Sequence, residues 1–211
     1  MNTKNKTEET SSNSKSWFHI FDYTDVLISL FMAGWCLRIW MFPKLEDAED
    51  MYRLSALLAF EFIMLHSGTF MAFVKPKWSL LVFVPAYGLF AWAFTFAVGD
   101  SFIMWIYLLA VFNRMRFAFI NKDNGLRNRM FKSSFISGFI YVIILGITLF
   151  LSDYLPAFGL TEDFLEQANP KDMIFLGGPV FVMGFGLIYY TVLAIFEFWL
   201  ARNPEKLTKD M

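Results

Sequence analysis

Six stretches of about twenty residues run through this sequence almost without a polar interruption, and that is the length a helix needs to cross about 30 Å of hydrocarbon. They cover residues 23–42, 54–74, 78–98, 102–120, 131–151 and 174–199, with the third separated from the second by only Lys75, Pro76 and Lys77. Strands are disfavoured, because the runs exceed strand length, lack sustained alternation, and lipid admits only helices or closed barrels. The expected fold is therefore all-α: a polytopic integral membrane protein of six transmembrane helices. Composition agrees, with 57% hydrophobic and 20% aromatic residues against 18% charged. That balance excludes a disordered chain, and the single cysteine, Cys36, excludes a disulfide scaffold. A net charge of -1 gives no reason to expect a nucleic-acid partner.

The distribution of charge carries more than its sum. Basic residues in short connections stay on the cytoplasmic side during insertion. One set of connections holds Lys4, Lys6, Lys15, Lys75, Lys77, Arg114, Arg116, Lys122, Arg127, Arg129, Lys132, Arg202, Lys206 and Lys209; the opposite set holds only Lys44, Arg53 and Lys171. Both termini are expected in the cytoplasm, consistent with an even number of crossings and with an inner or plasma membrane. Residues 1–22 read as a polar, disordered tail and membrane-edge segment, residues 23–200 as the transmembrane domain, and residues 201–211 as a short cytoplasmic tail. The first span is expected to act as its own signal anchor. No connection is long enough for a separate folded domain, so any chemistry sits in or against the membrane.

Charged side chains at bilayer depth cost about 2.5 to 3.5 kcal/mol on insertion scales and call for a partner or a wet cavity. Arg38 lies about four residues, or roughly 6 Å, from the outer end of the first span, and Glu61 about seven residues, or roughly 10 Å, from the outer end of the second. Antiparallel neighbours would bring them to similar depth, and an Arg38 to Glu61 ion pair is the expectation. Such a pair either clamps two helices or forms part of a substrate or proton path. His66 is the one histidine inside a span, but it sits five residues from Glu61, about 140° around a helix, so the two do not share a face. Haem ligation is disfavoured because the other histidine, His19, lies at the membrane edge. His19, Asp22 and Asp25 recur every three residues and read as helix-start residues ahead of half a metal site. Glu197, near the inner end of the sixth span, is expected to snorkel or to pair with Asn113 or Arg114.

Two spans carry helix breakers. Pro85 and Gly88 fall in the third, and Gly177, Gly178 and Pro179 in the sixth, with Gly184 and Gly186 following. Breaks at equivalent places in two three-helix halves are a pointer to a transporter's central site, although packing kinks produce the same pattern. Ser134, Gly138 and Gly146 mark a close-packing face of the fifth span. The cytoplasmic segment with Arg114, Arg116, Lys122, Arg127, Arg129 and Lys132 surrounds a turn expected at Asp123, Asn124 and Gly125, and could meet anionic lipid headgroups or a docking partner. No metal-ligand spacing, phosphate loop or nucleophile constellation is present in the sequence, so no metal or cofactor is expected and catalysis is the minority reading. Two functions stand against each other: a small-solute or ion transporter or channel, as a monomer or a homo-oligomer, lined by Arg38, Glu61 and His66; or a non-catalytic membrane subunit that docks a partner membrane protein through the basic loop.

Overall fold

The computed structural model describes residues 23–73, 124–170 and 177–203, with short stretches and isolated positions between 85 and 108. Among the described residues all regular structure is helical. Helix α1 (Tyr23–Met41) follows the first apolar run closely. Its inward stripe, Val26, Ser29, Ala33, Cys36 and Trp40, repeats every three or four residues and is buried, while Leu27, Phe31 and Leu37 point outward.

Beyond α1 the chain turns through a short 3-10 segment, Leu45–Asp47, into helix α2 (Ala48–Phe73). This helix begins six residues before the apolar run at 54. Its first turns are charged but internally satisfied: Arg53 donates to Glu49 one turn earlier at 3.0 Å and to Asp50 at 3.3 Å. Pairs at these spacings support a helix outside hydrocarbon, where apolarity gives no signal. Helix α3 (Asn124–Phe150) likewise starts early, so Asn124 and Gly125 open a helix instead of forming the expected turn. Arg127, Arg129 and Lys132 accordingly belong to helical backbone and not to a loop, whereas Arg114, Arg116 and Lys122 lie outside the described residues.

A second 3-10 segment, Ser152–Tyr154, leads to the short helix α4 (Glu162–Ala168), capped by Thr161, whose hydroxyl accepts the Phe164 N–H at 3.3 Å. The last helix, α5 (Pro179–Arg202), departs from expectation at its start. Gly177 takes a positive φ of 94°, Gly178 is the cap, and Pro179 occupies the first turn, where its missing N–H is no loss. These three residues open a span instead of breaking it. Pro85 and Gly88 lie at positions that are helical.

Helix α2 lies along α3, α3 along α5, and α2 also meets α5. Helix α1 closes on α5 where glycines permit: a Cβ on Gly186 would meet Cys36 Sγ at 2.7 Å, and one on Gly184 would meet the Trp40 ring at 3.2 Å. At the end of the bundle where α1 turns into α2, Trp40 is held by the segment before α4. Its indole N–H donates to the Pro156 carbonyl at 3.0 Å, its own carbonyl accepts from Gly159 at 3.0 Å, and Phe158 packs edge-on at 5.1 Å. The reverse side of α3 exposes Phe135, Phe139, Val142, Ile147 and Phe150. Apolar surface on that scale suits lipid. Three helical segments, Tyr23–Met41, Lys132–Phe150 and Pro179–Arg202, are long and apolar enough to cross a membrane.

Candidate functional site

Glu61 sits thirteen residues into α2, about 20 Å along the axis from Ala48, and meets α5 about midway along that apolar helix. Two neighbouring tyrosines of α5 straddle it. Tyr189 donates its hydroxyl to Oε1 at 2.8 Å and Tyr190 donates to Oε2 at 2.6 Å. Successive residues on a helix are turned by about 100°, so the two phenols approach the carboxyl from different sides and each takes one oxygen. One turn before them, Gly186 leaves no side chain in the way, and Cys36 of α1 fills that space, buried, within electrostatic reach of Glu61.

The tyrosine positions are fixed from behind by aromatic packing. Phe181, Phe185 and Tyr189 stack at one-turn intervals along α5, with ring centroids 6.1 Å and 5.8 Å apart. Tyr141 of α3 wedges edge-on against both Phe185, at 5.1 Å, and Tyr189, at 4.9 Å. Its hydroxyl donates to the Leu58 carbonyl at 2.8 Å, one turn before Glu61 on α2. Four helices therefore converge on one carboxyl. Each phenol in the group satisfies its polar end while its ring fills core, the arrangement that makes a buried tyrosine tolerable.

The expected Arg38 to Glu61 ion pair is replaced by other contacts. Arg38 pairs with Asp47 of the 3-10 segment, and Asp47, itself buried, also accepts the Lys44 backbone N–H at 2.7 Å. Two physical reasons separate the expected partners. Because α2 starts at Ala48, Glu61 lies about 20 Å below the turn while Arg38, three residues before the end of α1, lies about 5 Å below it. In addition, Arg38 is about 200° around α1 from Cys36, the residue that faces Glu61. The depth comparison failed because the charged first turns of α2 were read as loop.

His66 lies on α2 as expected, about 140° from Glu61, and its side chain is outside the described residues. His19 and Asp22 also lie outside them, and Asp25 of α1 is exposed. Glu197 finds a partner that the sequence did not suggest: Ser29 of α1 donates to its Oε2 at 2.7 Å. Asn113 and Arg114 lie outside the described residues. On α3, a Cβ at Gly138 or Gly146 would meet nothing within 4 Å, so the small-residue face expected there packs against no described helix.

The chain matches no family model, no curated protein and no solved structure. Its function is therefore argued from this site alone.

The tyrosines were the residues missed. They carry no mark in charge or hydropathy, yet a signal existed. Adjacent tyrosines at mid-span must place two hydroxyls somewhere, and Glu61 was the acid at matching depth in need of donors. Chemically, the arrangement is a carboxyl held in fixed geometry by neutral donors, with no basic side chain paired to it among the described residues. It can accept and release a positive species without first breaking a salt bridge.

Proposed function

We propose that this chain is a small multi-pass membrane transporter or channel for a positively charged solute, in which Glu61, held by Tyr189 and Tyr190, is the central binding group. The reading includes six spans with both termini on the cytoplasmic side of an inner or plasma membrane, and a basic segment from Arg114 to Lys132 lying against anionic headgroups. The observation that carries it is the hydrogen bonding of both Glu61 oxygens to neutral hydroxyls midway along the apolar helix α5. A residue needed only to lock helices would cost less as glutamine, which accepts and donates hydrogen bonds without the penalty of about 2.5 to 3.5 kcal/mol for a charge in hydrocarbon. Retaining an acid there, with no basic side chain paired to it among the described residues, favours a group whose charge is used.

Purified protein reconstituted into liposomes under imposed sodium, potassium and proton gradients tests this directly. Flux of one of these cations is expected, lost in Glu61→Gln and reduced in Tyr189→Phe and Tyr190→Phe, with all variants eluting as folded protein. Undiminished flux in Glu61→Gln, or no flux in the parent protein, would leave Glu61 as a helix lock and return the subunit or scaffold reading.

A further inference from the structure

Resting on the transport reading of Glu61, we propose that the species carried is the proton, and that Glu197, held by Ser29, is a second proton-binding station on the same route. Tyr190 and Glu197 are seven residues apart on α5, two turns and about 10 Å along one face. Cys36 and Ser29 have the same separation on α1, which runs antiparallel to α5, as the contacts of Cys36 with Gly186 and of Ser29 with Glu197 require. The seam between these helices thus holds Glu61 with its tyrosines at one level and the Ser29–Glu197 pair two turns away. Asp25, one turn beyond Ser29 on α1 and exposed, ends the seam, and the Glu197 carboxyl lies within electrostatic reach of both Asp25 and Glu61.

The chemistry at each level suits a proton better than a divalent metal ion. Hard cations such as calcium or magnesium take six or more oxygen ligands, whereas Glu61 and its two phenols present four oxygens and Ser29 with Glu197 three. Among the described residues no three His, Cys, Asp or Glu side chains are grouped to hold a metal. Hydroxyls both donate and accept, so they can hold either form of a carboxyl. Transfer breaks an O–H bond on one carboxyl and forms one on the next, and it requires water to enter the interval between levels, where Ala33, Leu193 and Ala194 are buried; no oxidant or reductant enters. Among the described residues, the titratable groups facing Glu61 are Cys36 of α1, Tyr141 of α3, and Tyr189, Tyr190 and Glu197 of α5; those facing Glu197 are Asp25 of α1, Glu61 of α2 and Tyr189 of its own helix.

The test uses the full chain in liposomes loaded with a pH-sensitive dye, with a potassium diffusion potential set by valinomycin, and sodium and potassium flux measured in parallel without it. Proton uptake is expected, lowered about a hundredfold in Glu197→Gln, the lower end of what a positioned proton-transfer group supplies. Ser29→Ala, which leaves the carboxyl in place, should lower it several-fold and serves if Glu197→Gln does not fold. Sodium or potassium flux lost in Glu61→Gln, with no proton uptake, would overturn the proton assignment while leaving the transport reading standing. Full proton uptake in both Glu197→Gln and Ser29→Ala, with loss in Glu61→Gln, would overturn the second station. No flux of any of the three ions overturns both readings.

Discussion

Removing the Tyr190 hydroxyl by Tyr190→Phe changes one oxygen atom and leaves one Glu61 oxygen without its donor. Interhelical hydrogen bonds in membranes average about 0.6 kcal/mol and reach about 1.7. Bonds to a charged group run to about 1.5 to 3 kcal/mol. At 2.6 Å the Tyr190 contact falls among charge-assisted O–H···O bonds, whereas the 2.8 Å contact of Tyr189 is of ordinary length. Tyr190→Phe should therefore cost about 1.5 kcal/mol, at the upper end of the membrane range, and Tyr189→Phe about 0.6 kcal/mol. The decisive comparison repeats both in a Glu61→Met background, where no carboxyl remains and each tyrosine hydroxyl becomes the unsatisfied group. There the same substitutions should be neutral or stabilising, because they remove buried polar atoms that have lost their acceptor. Unfolding in mixed detergent micelles, followed by far-ultraviolet circular dichroism, gives all the free energies needed for the cycle. An equal cost of Tyr190→Phe in both backgrounds would refute the reasoning, since the hydroxyl would then owe its value to something other than Glu61.

Three further outcomes follow from contacts elsewhere in the bundle. Gly186→Ala forces a Cβ to 2.7 Å from Cys36 Sγ and should destabilise by about 1 to 3 kcal/mol as overpacking does; Cys36→Ala in the same chain should recover most of it, and a failure of that rescue in the same unfolding assay would remove the α1–α5 contact. Arg38→Gln deprives buried Asp47 of its cation and should loosen the turn between α1 and α2, seen as faster backbone amide exchange at residues 42–47, while leaving cation flux intact; parallel loss of flux would restore Arg38 to the path. Trp40→Phe removes the donor to the Pro156 carbonyl and should speed amide exchange across residues 152–160 without altering exchange near Glu61, and unchanged exchange in that segment would deny Trp40 its anchoring role.

Much of the helical layout was legible because hydrocarbon imposes one strong rule. The end of α1 at Met41 and the end of α3 at Phe150 fall within a residue of the apolar boundaries, since at those places the change in residue type coincides with the change in structure. The boundaries that moved are those where a helix continues past its apolar run. Glu49, Asp50 and Arg53 satisfy one another on the first turns of α2, and Arg127, Arg129 and Lys132 continue the helical backbone of α3. Charge there marks where the expected hydrocarbon ends, not where the helix ends. Pro179 misled in the opposite sense, because the same missing N–H that breaks a helix interior is harmless at its first turn.

The polar pairings were less legible, and the reason is one of depth and angle together. A charge in a span demands a partner, but sequence alone supplies the demand without the register. Six additional residues at the start of α2 move Glu61 about 9 Å further from the turn, enough to exchange an arginine near the turn for two tyrosines at mid-span. The exchange changes the chemistry. An arginine partner would have held the carboxylate charged and immobile, and releasing it would have meant separating opposite charges in a medium where that is expensive. Hydroxyl donors satisfy both oxygens while adding no opposing charge, so a positive species arriving at Glu61 displaces hydrogen bonds worth about a kcal/mol or two each and gains the whole of the electrostatic attraction. On this ground Glu61, and not the arginine nearly three turns closer to the α1–α2 turn, is the residue whose removal should separate folding from flux.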